Sequence, residues 1–272
     1  MISMTDEEFR LLSDLIRQRT GIRLGDGKES LLQNRLRGQL RARGLTRYVD
    51  YYEMLRGGEA AAISELIDCV TTHTTGFFRF KPQLVFFARN VLPGVVERLR
   101  ARPLETASVW SAGCSSGEEP YSLAIAVLET VPKELVGRFR FLATDISRAS
   151  VEQAGRGQYP ASRTRGLEPA QRSTYFRELP DGGLEIRPEL RKMVKFQVES
   201  LEQANSRVAG SVDVIFCRNV LIYFDEAFRR QVILDFARAL RPGGHLLLGP
   251  AEMLLHTHLP LEPVSYSVYR RL

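Results

Sequence analysis

Residues 107–120, with the sequence ASVWSAGCSSGEEP, determine the predicted fold of this 272-residue chain. The pattern is typical of a buried strand that ends at Ala112, a tight turn of small residues at 113–117, and a helix that begins near Glu118. A second apolar strand is predicted over residues 139–144. Strands that alternate with helices in this way indicate a doubly wound, Rossmann-like parallel sheet with helices on both faces.

The same stretch has the general plan of a nucleoside-binding site. A turn of small residues lets its backbone approach a ligand, and the N-terminus of the following helix offers free amide donors. Asp145 follows the second strand and is a candidate to accept hydrogen bonds from ribose hydroxyls, while Ser147 is predicted to cap the next helix. The sequence therefore predicts a nucleoside-type ligand at this edge of the sheet.

The charge at the start of the helix favours a ligand with a positive end. The turn lacks the third glycine of a dinucleotide site and is followed by Glu118 and Glu119, which would repel a pyrophosphate. Two carboxylates suit the ammonium group of S-adenosylmethionine better than they suit NAD. Taken alone, however, the pair is explained more simply by its favourable interaction with the helix dipole.

Further strands and helices extend the sheet toward the C-terminus. They are a strand at 212–216, a helix at 226–240, a strand at 245–249 and a last, antiparallel strand at 265–269. The segment 241–244, RPGG, is predicted to end the helix and turn the chain into the next strand. Short strands at 184–187 and 194–198 indicate a small β insertion over about residues 173–198.

The N-terminal part of the chain is predicted to be a small, basic helical domain. Helices are indicated at 6–19 and from about residue 28, where leucines recur every four residues. Nine basic residues and two acidic ones lie between Arg17 and Arg47, so this stretch carries more positive charge than the net +6 of the whole chain. Such a surface attracts nucleic acid, anionic lipid or an acidic protein, although charge alone favours an ordinary solvated helix face.

Composition excludes several classes of protein. The longest uncharged stretch, residues 106–117, is too short and too polar to span a membrane, which takes about 18 apolar residues. The acidic N-terminus is unlike a signal peptide, so a cytoplasmic location is expected. Three widely spaced cysteines indicate neither a disulfide framework nor a zinc site, and His256 and His258 are better explained by a loop than by a metal site.

Three segments show a resemblance to a known family. They are TTHTTGFFR at 71–79, VWSAGCSSGEEPYS at 109–122 and IFCRNVLIYFD at 215–225. In these motifs, and in the order of its elements from about residue 5 to 270, the chain resembles the CheR family of chemotaxis receptor glutamate O-methyltransferases. The resemblance implies a helical, receptor-facing domain at 1–70, a linker that contacts the cofactor at 71–105, and an S-adenosylmethionine-binding domain at 106–272 that contains the β insertion.

The resemblance also implies the residues of the site. The residues expected to bind the cofactor are His73, Thr75, Arg79, Gly113, Glu118 or Glu119, Asp145, Ser200, Leu201, Arg218 and Asn219. Arg79 and Tyr223 are expected to border the reacting centre as catalytic residues, and Arg35, Arg37 and Arg41 to meet the acidic receptor. His73 and Ser200 stand where the family has asparagine, and Phe80 stands where an acid is common.

The activity implied by the resemblance is methylation of glutamates on the cytoplasmic helical domain of methyl-accepting chemoreceptors, which serves chemotactic adaptation and leaves S-adenosylhomocysteine. A glutamate side chain is already ionised at neutral pH, so no catalytic base is required. The alternatives are a non-catalytic scaffold of the same fold and a methyltransferase of another substrate. Nucleic-acid binding is less favoured because the basic stretch lacks interleaved aromatics. We expect a monomer with no metal and no membrane insertion.

Overall fold

A seven-stranded sheet dominates the computed structural model, which describes residues 3–25, 27–72, 74–204, 210–254 and 259–272. Its strands in spatial order are β6 (Val194–Val198), β2 (Phe139–Asp145), β1 (Ala107–Ala112), β7 (Val212–Cys217), β8 (Leu240–Leu248), β10 (Val268–Arg271) and β9 (Leu261–Ser265). The first five are parallel to one another, β10 is antiparallel to β8, and β9 is antiparallel to β10. β7 is buried along its whole length, as expected of a parallel strand covered on both faces.

Helices cover both faces of this sheet. The helices of this part of the chain are α5 (Lys81–Phe86), a π-helical turn (Phe87–Val91), α6 (Leu92–Ala101), α7 (Glu118–Thr130), α8 (Lys133–Val136), α9 (Arg148–Arg156), α10 (Pro169–Tyr175), α11 (Pro188–Arg191), α12 (Leu201–Ala204) and α13 (Glu226–Ala239). One apolar core lies under α7, and the other lies under α13, where Trp110 packs edge-on against Phe236. The predicted cap at Ser147 is confirmed, because its side chain accepts from the N–H of Ser150 at 3.1 Å.

Four helices form the N-terminal domain: α1 (Asp6–Thr20), α2 (Glu29–Ala42), α3 (Tyr48–Arg56) and α4 (Ala60–Val70). α1 begins with a capping box between Thr5 and Glu8. The leucines of α2, spaced four apart, all lie in the core of this domain, as their periodicity predicts. Among the residues that the structure describes, no helix is long and apolar enough to cross a membrane.

The structure corrects the predicted β insertion. The strand at 194–198 is present, but it is β6 of the main sheet and pairs in parallel with β2. The small antiparallel sheet is instead built from β3 (Gln158–Tyr159), β5 (Leu184–Ile186) and β4 (Phe176–Glu178), with β5 in the middle. Alternation along a short strand indicates which side chains share a face, but it does not identify the partner strand.

Two other strand predictions are wrong in their bounds. The predicted strand at 265–269 contains the turn between β9 and β10, where Ser267 adopts a left-handed φ of +53°. The segment 241–244 does not precede β8 but belongs to it, because β8 begins at Leu240. Gly243, at φ +78°, lies where the pairing register of β7 and β8 shifts, so the glycines form an irregularity within the strand.

Candidate functional site

Most of the residues that are predicted from the sequence to form the site line one cleft. It lies at the carboxyl ends of β1, β2 and β7, where open parallel sheets bind ligands. Its empty volume, including the space open to solvent, is about 1080 Å³. The predicted residues that line it are Thr75, Arg79, Gly113, Glu119, Asp145, Ser200, Leu201, Arg218, Asn219 and Tyr223. His73 lies outside the described residues.

The turn after β1 requires glycine at its first position. Gly113 has a φ of +78°, and a Cβ atom there would lie 2.4 Å from Cγ2 of Val220. The backbone N–H groups of Gly113 and Cys114 donate to the carbonyl of Thr144 at 2.8 and 2.9 Å. The turn is thus attached to the end of β2 and packs closely against the loop that follows β7.

Glu118 and Glu119 differ in where their carboxylates lie. Glu119 lines the cleft; its Oε1 accepts from Ser111 Oγ at 2.8 Å and its Oε2 accepts from Arg218 Nε at 2.5 Å. Glu118 is fully buried away from the cleft, with Oε2 bonded to Ser116 at 2.8 Å and Oε1 3.2 Å from Arg163. Burial raises the pKa of Glu118, an effect that the Ser116 hydrogen bond and Arg163 oppose. Of the two, Glu119 is therefore the residue placed to meet a ligand.

Asp145 ends β2 and braces the neighbouring turns. Its Oδ2 accepts from the N–H of Ser115 at 2.7 Å, and its Oδ1 accepts from the N–H of Ser147 at 2.9 Å. These bonds hold the carboxylate at the cleft wall, where it is 9% exposed. Because each carboxylate oxygen has two acceptor positions, hydroxyl donors from a ligand can be added to these bonds.

Arg218 joins three parts of the cleft wall. Besides its ion pair with Glu119, its Nη1 donates to the carbonyl of Arg79 at 2.7 Å and lies 3.5 Å from the side-chain oxygen of Gln83. The Arg218 and Glu119 side chains are only 6% and 9% exposed. Removing one partner of so buried a pair leaves an uncompensated charge, so the two side chains depend on each other.

Glu252 supports the same loop and was not predicted from the sequence. Its carboxylate, in a residue only 2% exposed, accepts from the backbone N–H groups of four consecutive residues, 219–222, and of Gly249. Four of these five distances are 2.7 Å. Because Glu252 acts on backbone amides, no side-chain motif marks it; the only signal is an acid shortly after an apolar strand.

The two predicted catalytic residues reach the cleft from different segments. Arg79 donates from Nη1 to the carbonyl of Thr74 at 2.6 Å and lies between Phe78 and Phe80, which have left-handed φ values of +51° and +60°. Such φ values are uncommon for bulky residues and are found mainly where surrounding structure holds the backbone. Tyr223 is half-buried in the loop after β7 and packs against the core of the helical domain.

The helical domain closes one side of the cleft. The N–H of Arg23 donates to the carbonyl of Tyr223 at 2.9 Å, and Ile22 forms an antiparallel bridge with Phe224. On another side, Oδ1 of Asp68 accepts from Ser147 Oγ at 2.6 Å. The two domains therefore meet at both the Tyr223 loop and the cap that follows Asp145.

The three predicted receptor-binding arginines of α2 have different surroundings. Arg35 donates from Nη1 to the carbonyl of Val70 and from Nη2 to Thr72 Oγ1 at 2.9 Å, so it attaches α2 to a segment that lines the cleft. Its guanidinium is thus already bonded within the chain, and its contact with a receptor stays a prediction. Arg37 is half-buried, and Arg41 is exposed on α2. The described residues contain no group of three or more histidine, cysteine or acidic side chains suited to a metal ion.

Comparison with known proteins covers both parts of the chain. Residues 73–269 match the model described as CheR methyltransferase, SAM binding domain, and residues 7–71 match CheR methyltransferase, all-alpha domain. A chemotaxis protein methyltransferase of Escherichia coli K12 is 34% identical over 98% of this chain and 92% of the relative. One from Salmonella typhimurium is 36% identical over 92% and 85%, and one from Borreliella burgdorferi is 32% identical over 99% and 96%.

Proposed function

Because the chain belongs to the CheR family of methyltransferases, we propose that it transfers a methyl group from S-adenosylmethionine to glutamate side chains of methyl-accepting chemoreceptors. The observation that supports this most directly is the convergence of Glu119, Asp145 and Arg218 on one cleft. We further propose that the protein acts in the cytoplasm, as a monomer, on the helical domain of the receptor that lies there.

Different residues of the cleft suit different parts of the proposed methyl donor. The Glu119 carboxylate suits the positive end of the methionine moiety, and Asp145 is placed to accept from the ribose hydroxyls. Because Gly113 has no side chain, the turn packs closely against Val220, and both residues line the cleft. Ser200 and Leu201 also line the cleft, and we propose that they flank the adenine.

The proposed reaction moves no proton. S-adenosylmethionine supplies a methyl group activated by its positive sulfur. A glutamate carboxylate, with an ordinary pKa near 4.3, is ionised at neutral pH, and its oxygen forms the ester bond while the carbon–sulfur bond breaks and leaves its electron pair on sulfur. The protein's contribution is placement of the carboxylate by Arg79 and Tyr223, an effect worth up to about 7–11 kcal/mol in favourable models.

The basic surface of α2 is the proposed contact with the receptor. Arg41 is exposed, and Arg37 lies one helical turn before it on the same face. An acidic receptor surface would be attracted to this face, mainly through a faster, salt-sensitive association. Arg35 is left out of this contact because it is bonded to the linker.

The experiment that tests the proposed function follows a labelled methyl group. The purified protein is incubated with methyl-tritiated S-adenosylmethionine and a cytoplasmic fragment of a chemoreceptor from the same organism, and the product is treated with mild alkali. We expect the fragment to become labelled and the label to be released as methanol, as an ester requires. A label stable to alkali would indicate a different acceptor. Binding of S-adenosylhomocysteine without any transfer would indicate a scaffold.

A further inference from the structure

Arg19 is a cleft residue that neither the motifs nor the proposed mechanism uses. It belongs to the last turn of α1, in the helical domain, and its side chain is exposed at the cleft wall. The same wall contains Tyr223 and Phe224 from the loop after β7. Arg19 is therefore a cation that one domain contributes to a cleft formed mostly by the other.

The backbone around Arg19 is held firmly against the loop of Tyr223. Helix α1 ends at Gly21, which has a φ of +73° and donates to the carbonyl of Arg17 at 2.8 Å. A Cβ atom at Gly21 would lie 2.7 Å from Cζ of Phe228, so the chain passes directly over that ring. The following residues then bond to the loop at Tyr223 and Phe224.

The guanidinium of Arg19 makes no polar contact within the described parts of the chain, whereas the guanidinium groups of Arg218 and Arg79 each donate to another group of the protein. Arg218 is paired with Glu119 and bonded to the Arg79 carbonyl, and the Arg79 guanidinium donates to a carbonyl. Arg17, on the same helix, pairs with Asp225 at 3.5 Å. The Arg19 side chain has no hydrogen bond or ion pair with any residue in the described parts of the chain.

We propose that Arg19 binds the carboxylate of the acceptor glutamate as it enters the cleft. A guanidinium recognises a carboxylate through paired N–H donors, and it remains charged at any pH of interest. The inference rests on the proposed function, because it assigns the residue that receives that substrate. It also gives the helical domain a place in the active site in addition to its receptor-facing surface.

The experiment compares Arg19→Ala with the wild type in binding two chemoreceptor fragments in the presence of S-adenosylhomocysteine. One fragment has glutamate at the acceptor position and the other has glutamine there. We expect Arg19→Ala to weaken binding of the glutamate fragment about 10-fold to 100-fold and to leave binding of the glutamine fragment unchanged. Arg19→Lys keeps a positive charge and should recover part of the loss. Arg10→Ala is the matched control, because Arg10 is an exposed arginine on the opposite side of α1.

The outcomes separate this inference from the proposed function. If the wild type methylates the receptor but Arg19→Ala weakens binding of both fragments equally, or of neither, the role of Arg19 is overturned and the proposed function is not. A loss confined to S-adenosylhomocysteine affinity would assign Arg19 to the carboxylate of the cofactor and would also overturn it. A wild type that fails to methylate any receptor would instead contradict the proposed function.

Discussion

The backbone N–H of Asn219 donates to Oε2 of Glu252 at 2.7 Å, and Asn219 has a left-handed φ of +61°. The other oxygen of Glu252 accepts from the next three N–H groups of the loop. A carboxylate from the connection after β8 thus fixes the backbone on which Arg218 and Tyr223 enter the cleft. Glu252 is a positioning residue, since it reaches the site through the loop.

Replacement of Glu252 by alanine should weaken ligand binding in the cleft without unfolding the protein. Five amide groups lose their acceptor, and we expect S-adenosylhomocysteine affinity to fall by about 10-fold or more in calorimetric titration. Glu252→Gln should lower the affinity nearly as much. Both carboxylate oxygens accept from backbone N–H groups, and in glutamine one of the two oxygens is replaced by an NH₂ group, which can only donate. Hydrogen exchange at residues 219–222 should become faster.

Glu262→Gln provides the control for Glu252. Glu262 lies on the exposed strand β9 and pairs with Arg270, so the same chemical change there should leave affinity and exchange at the loop unaltered. Wild-type affinity in Glu252→Ala would show that the loop keeps its geometry without this carboxylate.

The turn should tolerate alanine at position 113 only when Val220, which it contacts, is replaced by a smaller residue. Gly113→Ala introduces both a strained φ and a contact with Val220, and we expect loss of S-adenosylhomocysteine binding. The double variant Gly113→Ala with Val220→Ala should recover part of that binding. Gly182→Ala has the same φ of +78° with open space around it, and it should show the backbone strain alone, about 1–2 kcal/mol in urea unfolding. Failure of Val220→Ala to help would mean that strain, and not the contact, excludes alanine.

The three cysteines should differ sharply in reactivity. Cys69 is half-buried, whereas Cys114 and Cys217 are buried. Burial raises the pKa of both buried thiols well above the ordinary value, so the thiolate that reacts with Ellman's reagent is scarce. We expect one thiol to react in the native protein and the other two only after denaturation. Equal rates for all three would contradict the burial of the thiols beside the cleft.

His245 should make the protein less stable at mildly acidic pH. Burial, with a smaller contribution from the positive charge of Arg270, lowers the pKa of His245 below the ordinary 6.5. The unfolded chain therefore binds a proton first as the pH falls, so the free energy of unfolding should decrease over the pH interval below about 7. Urea unfolding of His245→Gln should show a weaker decrease over that interval. A slope identical to that of the wild type would exclude this residue as its cause.

Much of the architecture is predictable because local physical signals coincide with it. The strand, turn and helix around Gly113 follow from an apolar run, small residues and a helix start, and the cap at Ser147 follows from hydrogen-bonding chemistry. The partner of β6 was predicted wrongly, since pairing depends on contacts distant in the chain. The turn at Ser267 was missed because its residues alternate in polarity as a strand does.

The candidate site likewise contains residues that can be predicted from the sequence and residues that cannot. Glu119 and Glu118 cannot be distinguished in sequence, because their directions depend on how α7 starts after Gly117. Glu252 cannot be identified from the sequence because it binds backbone amides. Arg35 cannot be distinguished from the other arginines of the basic stretch without its bonds to Val70 and Thr72. Residues that belong to side-chain motifs can be assigned to the cleft from the sequence, whereas those that hold other segments in place require the fold.

The measurement that tests the proposed function most directly is peptide mass spectrometry of the chemoreceptor fragment after incubation with the protein and S-adenosylmethionine. The mechanism predicts an added mass of one methylene on particular glutamate side chains, which disappears after mild alkali. Methylation on lysine, arginine or backbone nitrogen, or a modification that survives alkali, would contradict the assignment of glutamate as the acceptor.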